Sequence, residues 1–510
     1  MALFGTKKGL KVLFVSSEAA PFAKAGGLGD VMYSLPRALR SLGHDARVMI
    51  PRYVTIDDSK FPMAMVYSAL EVPNGSTSPI ICNVKMYNPP ASQNDAPAPT
   101  YFLENQEYYE QRANIYGYAD DAIRWALLCR GVLEFLRFHK EWKPDIIVSA
   151  DWQTGLIPNY LKTVYKNNLS LSKTATVFSI HNLFFQGVFD HRFINEMDYD
   201  DGHSPIPEIN NPRLLKINMM RRGIMYADAI NTVSPTYAKE ITTPEYGELL
   251  DALLQERRAH LSGILNGIDY LAKNPETDPN VEFKYNLNNI NERKKNKKIL
   301  EEKFNLPKDS EDAFLVGIVG RITEQKGFDI LMQALEPLIS NPKFQMIVVG
   351  PGDSKYLSYF TELGKKYPNI ATHLSFDTVL ASLVFAGADA MLVPSKFEPC
   401  GLTQMEAMRY GAVPIVRKTG GLADSVEDYD PKSRKGTGFV FERYDPYALY
   451  GAVVRAMEVY KHQNLWRAIQ KRAMLMDFSW NKSAKEYASL FKRAIAFRKQ
   501  EKPEQPGGER

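Results

Sequence analysis

The chain has 510 residues, 45% of them hydrophobic and 24% charged, with a net charge of +4. That length predicts more than one domain, with ample residues for full cores. So small a net charge argues against a nucleic-acid or membrane-surface role.

Three cysteines, Cys82, Cys129 and Cys400, stand far apart in no metal-ligand spacing. They predict a reducing compartment and no disulfide framework. The first apolar run, Lys11-Val-Leu-Phe-Val15, is too short for a signal peptide and predicts a strand. No stretch has the length of a membrane span, so the expectation is a cytoplasmic soluble enzyme.

In chain order, residues 11–16 predict a strand, followed by the loop Ser17 to Asp30, a helix to about Leu42 and a second strand, Ala46–Ile50. This β-loop-α-β pattern opens a parallel sheet. The loop carries Lys24, Gly26, Gly27 and Gly29, but Met32 stands where a dinucleotide fingerprint needs its third glycine. A nicotinamide enzyme is therefore disfavoured. The glycines predict close backbone approach to a ligand, with Lys24 as a cation.

Residues 57–120 show no regular pattern, and Asn88 to Thr100 predicts an exposed loop. Tyr116 and Tyr118 fit either core packing or stacking on a sugar ring. A helix over 121–139 precedes the buried strand Asp145–Ser149, and Asp151-Trp-Gln-Thr-Gly155 falls at its carboxyl end. Ligands of open parallel sheets bind there, so Asp151 is a candidate site residue. The next strand, Ala175–Ile180, delivers His181 and Asn182 in the same way. Loop residues at 263–279 predict a domain boundary near residue 270 and a hinge between 263 and 274. The lysine-rich segment 288–303 predicts a solvated helix face.

A second set of α/β units follows. Phe314–Val319 predicts a strand leading to Gly320, Arg321 and Lys326, and Phe344–Val349 a strand leading to Gly350-Pro-Gly-Asp353. The apolar run Ala390–Pro394 leads into Glu398-Pro-Cys400-Gly401-Leu402-Thr403. There a helix opens, with Leu402, Met405 and Met408 three apart on one face. Free N–H groups at that helix start, beside a glycine, suit phosphate, while Glu398 at the mouth and Glu406 beyond suit sugar and ribose hydroxyls. An ordinary strand-loop-helix with solvated glutamates is the plainer reading. Lys418-Thr-Gly-Gly-Leu422 echoes Lys24-Ala-Gly-Gly-Leu28, one per half.

Taken together, these segments resemble the bacterial glycogen synthases and plant starch synthases. The resemblance rests on Lys24-x-Gly-Gly-Leu-Gly-Asp30, Asp151-Trp-x-Thr-Gly155, His181-Asn-Leu183, Thr232-Val-Ser-Pro-Thr-Tyr-Ala238, Leu265-Asn-Gly-Ile-Asp269, Gly320-Arg321 with Glu324-Gln-Lys-Gly327, Glu398-Pro-Cys-Gly-Leu-Thr-Gln404 and Thr419-Gly-Gly-Leu-Ala-Asp424. It implies an α/β class of GT-B architecture: two Rossmann-like domains facing a deep cleft, an acceptor-side domain over 1–270 and a nucleotide-sugar domain over 271–480. The helix 481–497 would return to the first domain, and 498–510 would be a disordered tail. Closure of the cleft is expected, to keep water from the donor.

The activity implied is retaining transfer of glucose from ADP-glucose to the 4-hydroxyl ending an α-1,4-glucan, without a metal or other cofactor. The partners implied are the nucleotide sugar and the glucan. Lys24 and Gly27 would lie near the donor phosphates, and Gly350, Cys400, Gly401, Leu402, Thr403 and Glu406 would also line the donor. Arg321 and Lys326 would grip the diphosphate, His181 would meet the donor glucose, Asp30 and Asp151 would lie near the reacting sugar and the acceptor, and Asn182 and Tyr116 would serve the acceptor side, with Glu398, His181, Asp151, Arg321 and Lys326 as the catalytic set. A carboxylate nucleophile is one route to retention. The family instead has the leaving phosphate take the acceptor's proton, which assigns Glu398 to donor-glucose hydroxyls and positive charge at the anomeric carbon.

Departures from the family pattern fall at Gln153, at Val148-Ser-Ala150, at Pro351 and at Glu406. The last completes a Glu-x7-Glu spacing shared with wider retaining transferases, so a UDP-glucose donor or another α-glucoside product stays open. A glucan-binding scaffold without catalysis is the alternative of a different class, which the intact Lys24, His181, Arg321, Lys326 and Glu398 oppose.

Overall fold

Apolar runs in this chain alternate with helices, and the runs Ile146–Ala150, Ala175–Ile180, Phe344–Val349 and Ala390–Val393 become strands buried on both faces. The computed structural model describes residues 9–90, 96–188, 200–307 and 313–500. The chain forms two compact units. One comprises residues up to Val233, Ala238–Ile264 and the chain from Trp480 on; the other comprises Ser234–Tyr237 and Leu265–Ser479.

The first unit holds β1 (Lys11–Val15), β2 (Asp45–Pro51), β3 (Ala64–Val72), β4 (Ile80–Tyr87), β5 (Thr100–Glu104), β6 (Ile146–Ala150), β7 (Ala175–Ile180), β8 (Ala229–Thr232) and β9 (Leu261–Gly263). They form one sheet in the order β3-β4-β5-β2-β1-β6-β7-β8-β9. From β5 to β9 every pairing is parallel, while β3-β4 and β4-β5 are antiparallel.

Side-chain alternation sorts this sheet into two cores. Val12, Phe14, Val48 and Ile50 point to one face with Val31 and Leu35 of the helix Gly27–Ser41 and Tyr487 and Phe491 of the helix Trp480–Gln500. Leu13, Val15, Met49 and Ile147 point to the other, against the almost wholly buried helix Asp121–Phe138. The Tyr487 hydroxyl oxygen accepts from Asn231 Nδ2 at 3.0 Å, pinning the last helix to β8.

Segment 57–120, patternless in sequence, contains β3, β4 and β5. Register shifts between Met65, Tyr67 and Leu70 break the alternation that would have marked β3. The expected loop at 88–100 lies partly outside the described residues. The final helix continues to Gln500, three residues beyond the expected end, and the rest of the expected tail lies outside the described residues.

The second unit holds β10 (Phe314–Val319), β11 (Phe344–Val349), β12 (Ile370–His373), β13 (Ala390–Val393), β14 (Val413–Arg417) and β15 (Phe439–Phe441). All pair in parallel in the order β12-β11-β10-β13-β14-β15. That is the doubly wound Rossmann order, whose direction reverses between β10 and β13. The equivalent reversal in the first unit lies between β1 and β6. Val316, Ile318, Met346 and Val348 pack toward the helices Phe328–Ile339 and Pro446–Tyr460, and Leu315, Ile347 and Val349 toward the helix Thr378–Gly387.

The lysine-rich segment departs from a simple solvated face. In the helix Arg293–Lys303, Arg293, Asn296 and Leu300 are buried. Lys297 also turns inward, its Nζ 2.7 Å from Asp389 Oδ2.

Candidate active site

In the second unit the residues converge where the sheet reverses direction. β10 exits through Gly320 and the exposed Arg321 to a single turn, Glu324–Lys326, while β13 exits through Pro394 and Ser395 to Glu398. Lys326 Nζ lies 2.5 Å from Glu398 Oε2, which also accepts from Ser395 Oγ at 2.8 Å. Glu398 is buried, so this pair fixes a carboxylate and an ammonium side by side at the strand ends. Ser395 is a partner that sequence reasoning missed.

Backbone packing makes glycine necessary here. Gly327 has φ +80, and a Cβ there would stand 2.1 Å from the Pro394 carbonyl oxygen. Gly350 is as tight, 1.9 Å from the Gly320 oxygen, so the loops leaving β10 and β11 touch main chain to main chain. The glycines after β14 play the same part. Gly421 N donates to Glu398 O at 3.1 Å, and a Cβ at Gly420 would meet that oxygen at 1.9 Å. The five-residue echo around Gly420 thus buttresses the Glu398 loop.

Helix Thr403–Arg409 begins after Gly401, which takes φ +68, and Leu402. Gln404 is fully buried and donates to Gly401 O at 2.7 Å and to Ser425 Oγ at 3.0 Å, locking the turn. Burial pushes the Cys400 thiol up to about 12, so it stays neutral and contributes backbone and bulk. Glu406 lies on this helix with Oε2 3.4 Å from Lys273 Nζ, a pairing absent from the sequence reading.

In the first unit, Glu18 organises the loop after β1. Its buried carboxylate accepts from the backbone N–H of Ala25, of Gly26 at 3.0 Å and of Gly29 at 3.1 Å. A negative charge at the start of helix Gly27–Ser41 suits the helix dipole. A Cβ at Gly27 would meet nothing within 4 Å, so its face is open. Lys24 Nζ and Asp30 Oδ1 form an exposed ion pair at 2.7 Å. The two residues expected on donor and acceptor sides are therefore neighbours here.

Asp151 follows β6 with φ 56 and ψ −177, a conformation normally left to glycine. Its N–H donates to Ser179 O at 2.9 Å, and its Oδ1 accepts from His181 N at 2.7 Å. These bonds hold the strained residue between β6 and β7. Burial pushes its carboxyl up to about 7, against the opposing pull of the His181 and Asn182 amides and with help from the Glu18 charge.

His181 sits beside it, Nε2 3.1 Å from Ser179 Oγ, and burial pushes its imidazole down to about 4. It is neutral at neutral pH. Asn182 Oδ1 accepts from Phe184 N at 3.1 Å, shaping the turn. Tyr116 is half-buried against the core, its hydroxyl 2.8 Å from Ser17 Oγ. The departures at Gln153 and Val148-Ser149-Ala150 are all buried.

Among the described residues no group of His, Cys, Asp and Glu side chains could hold a metal ion, and no helix is long and apolar enough to cross a membrane.

Residues 11–256 match the family described as the starch synthase catalytic domain, and residues 296–473 that described as glycosyl transferases group 1. The glycogen synthase of Thermotoga petrophila is 41% identical over 490 residues, spanning 96% of this chain and 99% of its own. That of Geotalea daltonii is 42% identical over 497 residues, with the same coverage. Among solved structures, the catalytic domain of starch synthase IV from Arabidopsis thaliana, bound to ADP and acarbose, matches with a TM-score of 0.82 at 30% identity. That match covers 96% of this chain and 100% of the other.

Proposed function

Given that the chain belongs to the bacterial glycogen synthase and plant starch synthase family of GT-B glycosyltransferases, we propose that it transfers glucose from ADP-glucose to the 4-hydroxyl at the non-reducing end of an α-1,4-glucan, with retention. The observation that carries the donor chemistry is the Lys326–Glu398 pair where the second sheet reverses direction, with the exposed Arg321 at the end of the adjacent strand. The leaving nucleoside diphosphate gains negative charge in the transition state, and fixed cations stabilise that charge. Arg321 offers phosphate oxygens a planar fork and Lys326 a point charge. With those two cations, the proposed reaction needs no metal or other cofactor.

As Lys326 turns to phosphate, Glu398 keeps its Ser395 bond and faces the donor glucose. There it holds hydroxyls and opposes the positive charge that builds at the anomeric carbon. Gly350, Gly401, Leu402 and Thr403 supply backbone close to the diphosphate, and Glu406 supplies a carboxylate to the ribose. In the first unit Lys24 and Gly27 serve the donor phosphates, and neutral His181 presents its ring and backbone to the donor glucose. Asp30, Asp151, Asn182 and Tyr116 serve the acceptor. Nucleotide sugar and α-glucan are then the partners, and the cytoplasm the proposed location.

UDP-glucose is the second reading, favoured by Glu406 in its Glu-x7-Glu spacing from Glu398. Purified protein, maltoheptaose and ¹³C1-labelled ADP-glucose, followed by NMR, test the proposal. One new α-1,4 anomeric signal per ADP released is the expected result. A β signal, or ADP released without a new linkage, would sink it.

A further inference from the structure

The loop leaving β1 is held from below by a side chain that the reaction has not yet used. Lys24, Ala25, Gly26 and Gly27 are all exposed, and Gly26 gives the helix Gly27–Ser41 no side-chain cap. An ordinary helix start takes Ser, Thr, Asp or Asn at that place. Here the carboxylate comes from eight residues upstream. Glu18, 2% exposed, accepts from the backbone N–H of Ala25 and Gly26 with Oε2 and from that of Gly29 with Oε1. Lys24 pairs with Asp30 instead, leaving this carboxylate to the amides. A carboxylate is costly to bury unless hydrogen bonds satisfy it. A turn that served stability alone would be met by an exposed cap.

The same segment reaches two parts of the site. On one side, Ala20 N donates to Gly29 O at 3.0 Å, and the Lys24 stem lies on Gly29, where a Cβ would stand 3.1 Å from Lys24 Cγ. The direction of Lys24 therefore follows the path that Glu18 sets for the loop. On the other side, the Ser17 hydroxyl meets that of Tyr116 at 2.8 Å, and the Ser17 carbonyl accepts from the Tyr53 hydroxyl at 2.6 Å.

Glu18 also acts by charge. Around Asp151 stand Glu18 from the end of β1, Tyr116 from the segment before the helix Asp121–Phe138, and His181 from the end of β7. Burial raises the Tyr116 hydroxyl and lowers the His181 imidazole to about 4, so both are neutral at neutral pH. The charge that adds to burial in raising the Asp151 carboxyl is that of Glu18.

We propose that Glu18 is a positioning residue for glucosyl transfer: through three main-chain amides it sets Lys24 and Gly27 in place for the donor phosphates, without touching substrate itself. This role rests on the reading of Lys24 and Gly27 as donor contacts.

Two variants separate reach from charge. Glu18→Gln keeps the length but turns an N–H₂ group toward amide donors, and Glu18→Asp keeps the charge but falls one methylene short of them. Both are expected to speed amide hydrogen exchange in residues 25–29 at least about tenfold and to weaken ADP binding, read by calorimetry, at least about fivefold. KM for ADP-glucose should rise in step, with a smaller change in KM for glycogen. The inflection near pH 7 in the kcat/KM profile should move to lower pH in Glu18→Gln and stay in Glu18→Asp, because only the first removes the charge. Unchanged exchange in both variants would overturn the inference. So would parental ADP affinity in a variant whose loop exchanges faster, or a lowered melting temperature with ADP affinity and pH profile unmoved, which is the mark of a merely structural role. If the parent transferred no glucose, the reading of the reaction would fall, while exchange and ADP affinity would still decide what Glu18 does.

Discussion

Replacing Glu398 by Gln keeps the side chain's shape and removes its charge. The native Oε2 receives both the Lys326 ammonium, at 2.5 Å, and the Ser395 hydroxyl, at 2.8 Å. A glutamine oxygen can still accept from one or both, so the loop should hold, with about 1.5–3 kcal/mol of charge-assisted bonding weakened. In the transition state the loss is larger. Removing one preorganised electrostatic group from a desolvated site costs about 10²–10³ in turnover, or about 3–4 kcal/mol. ADP lacks the glucose that Glu398 is proposed to hold, and Lys326 without its carboxylate is freer to meet phosphate. The dissociation constant for ADP should therefore stay within about threefold of the parent, a difference of less than 1 kcal/mol. Steady-state release of ADP from ADP-glucose and glycogen gives kcat, and calorimetry gives ADP affinity, with a thermal melt to confirm folding. A loss of ADP affinity that keeps pace with kcat would refute the role assigned to Glu398, as would near-normal turnover.

Asp151→Asn should remove an inflection near pH 7 from the kcat/KM profile, because burial holds the native carboxyl at about 7. The folded pKa lies above the unfolded value of about 4, so the parent loses stability as pH rises from about 4 to 7, and the variant should lose that slope in pH-dependent melts. Parallel profiles for the two proteins would count against this. Gly327→Ala should destabilise the second unit. At φ +80 the strain is about 1–3 kcal/mol, and a Cβ 2.1 Å from the Pro394 oxygen adds displacement of the Glu398 loop. A drop of about 2–4 °C per kcal/mol in the melt, with weaker ADP binding, is the expected reading; an unchanged melt would contradict the close approach. Prolonged EDTA treatment should leave the transfer rate unchanged, since Arg321 and Lys326 are proposed to supply the positive charge; a rate restored only by added Mg²⁺ would assign that charge to a metal.

What was legible in the sequence was local. Apolar runs ending in glycine loops marked β1, β6, β7, β10, β11 and β13, and with them Lys24, Asp151, His181, Arg321 and Glu398, because strand ends are read from a few consecutive residues. The pairings were not legible. Glu398 and Lys326 are 72 residues apart, and their contact depends on β10 and β13 lying side by side, a fact of topology. Glu18 stood inside the loop Ser17 to Asp30, yet nothing in its neighbours told that three loop amides would turn toward it. Glu406 read as a ribose ligand, and the structure adds Lys273 as its partner. The lysine-rich helix was legible in part, since Lys294, Lys295, Lys298 and Lys303 are exposed as expected. Its composition is that of a solvated face, and the inward turn of Arg293 and Lys297 depends on Ala388 and Asp389, some ninety residues later.

The central claim is tested most directly by presenting the purified protein with glycogen and either ADP-glucose or UDP-glucose and comparing kcat/KM for diphosphate release. The account predicts a clear preference for ADP-glucose. A preference for UDP-glucose would contradict the donor assignment, and no release from either would contradict the proposed reaction itself.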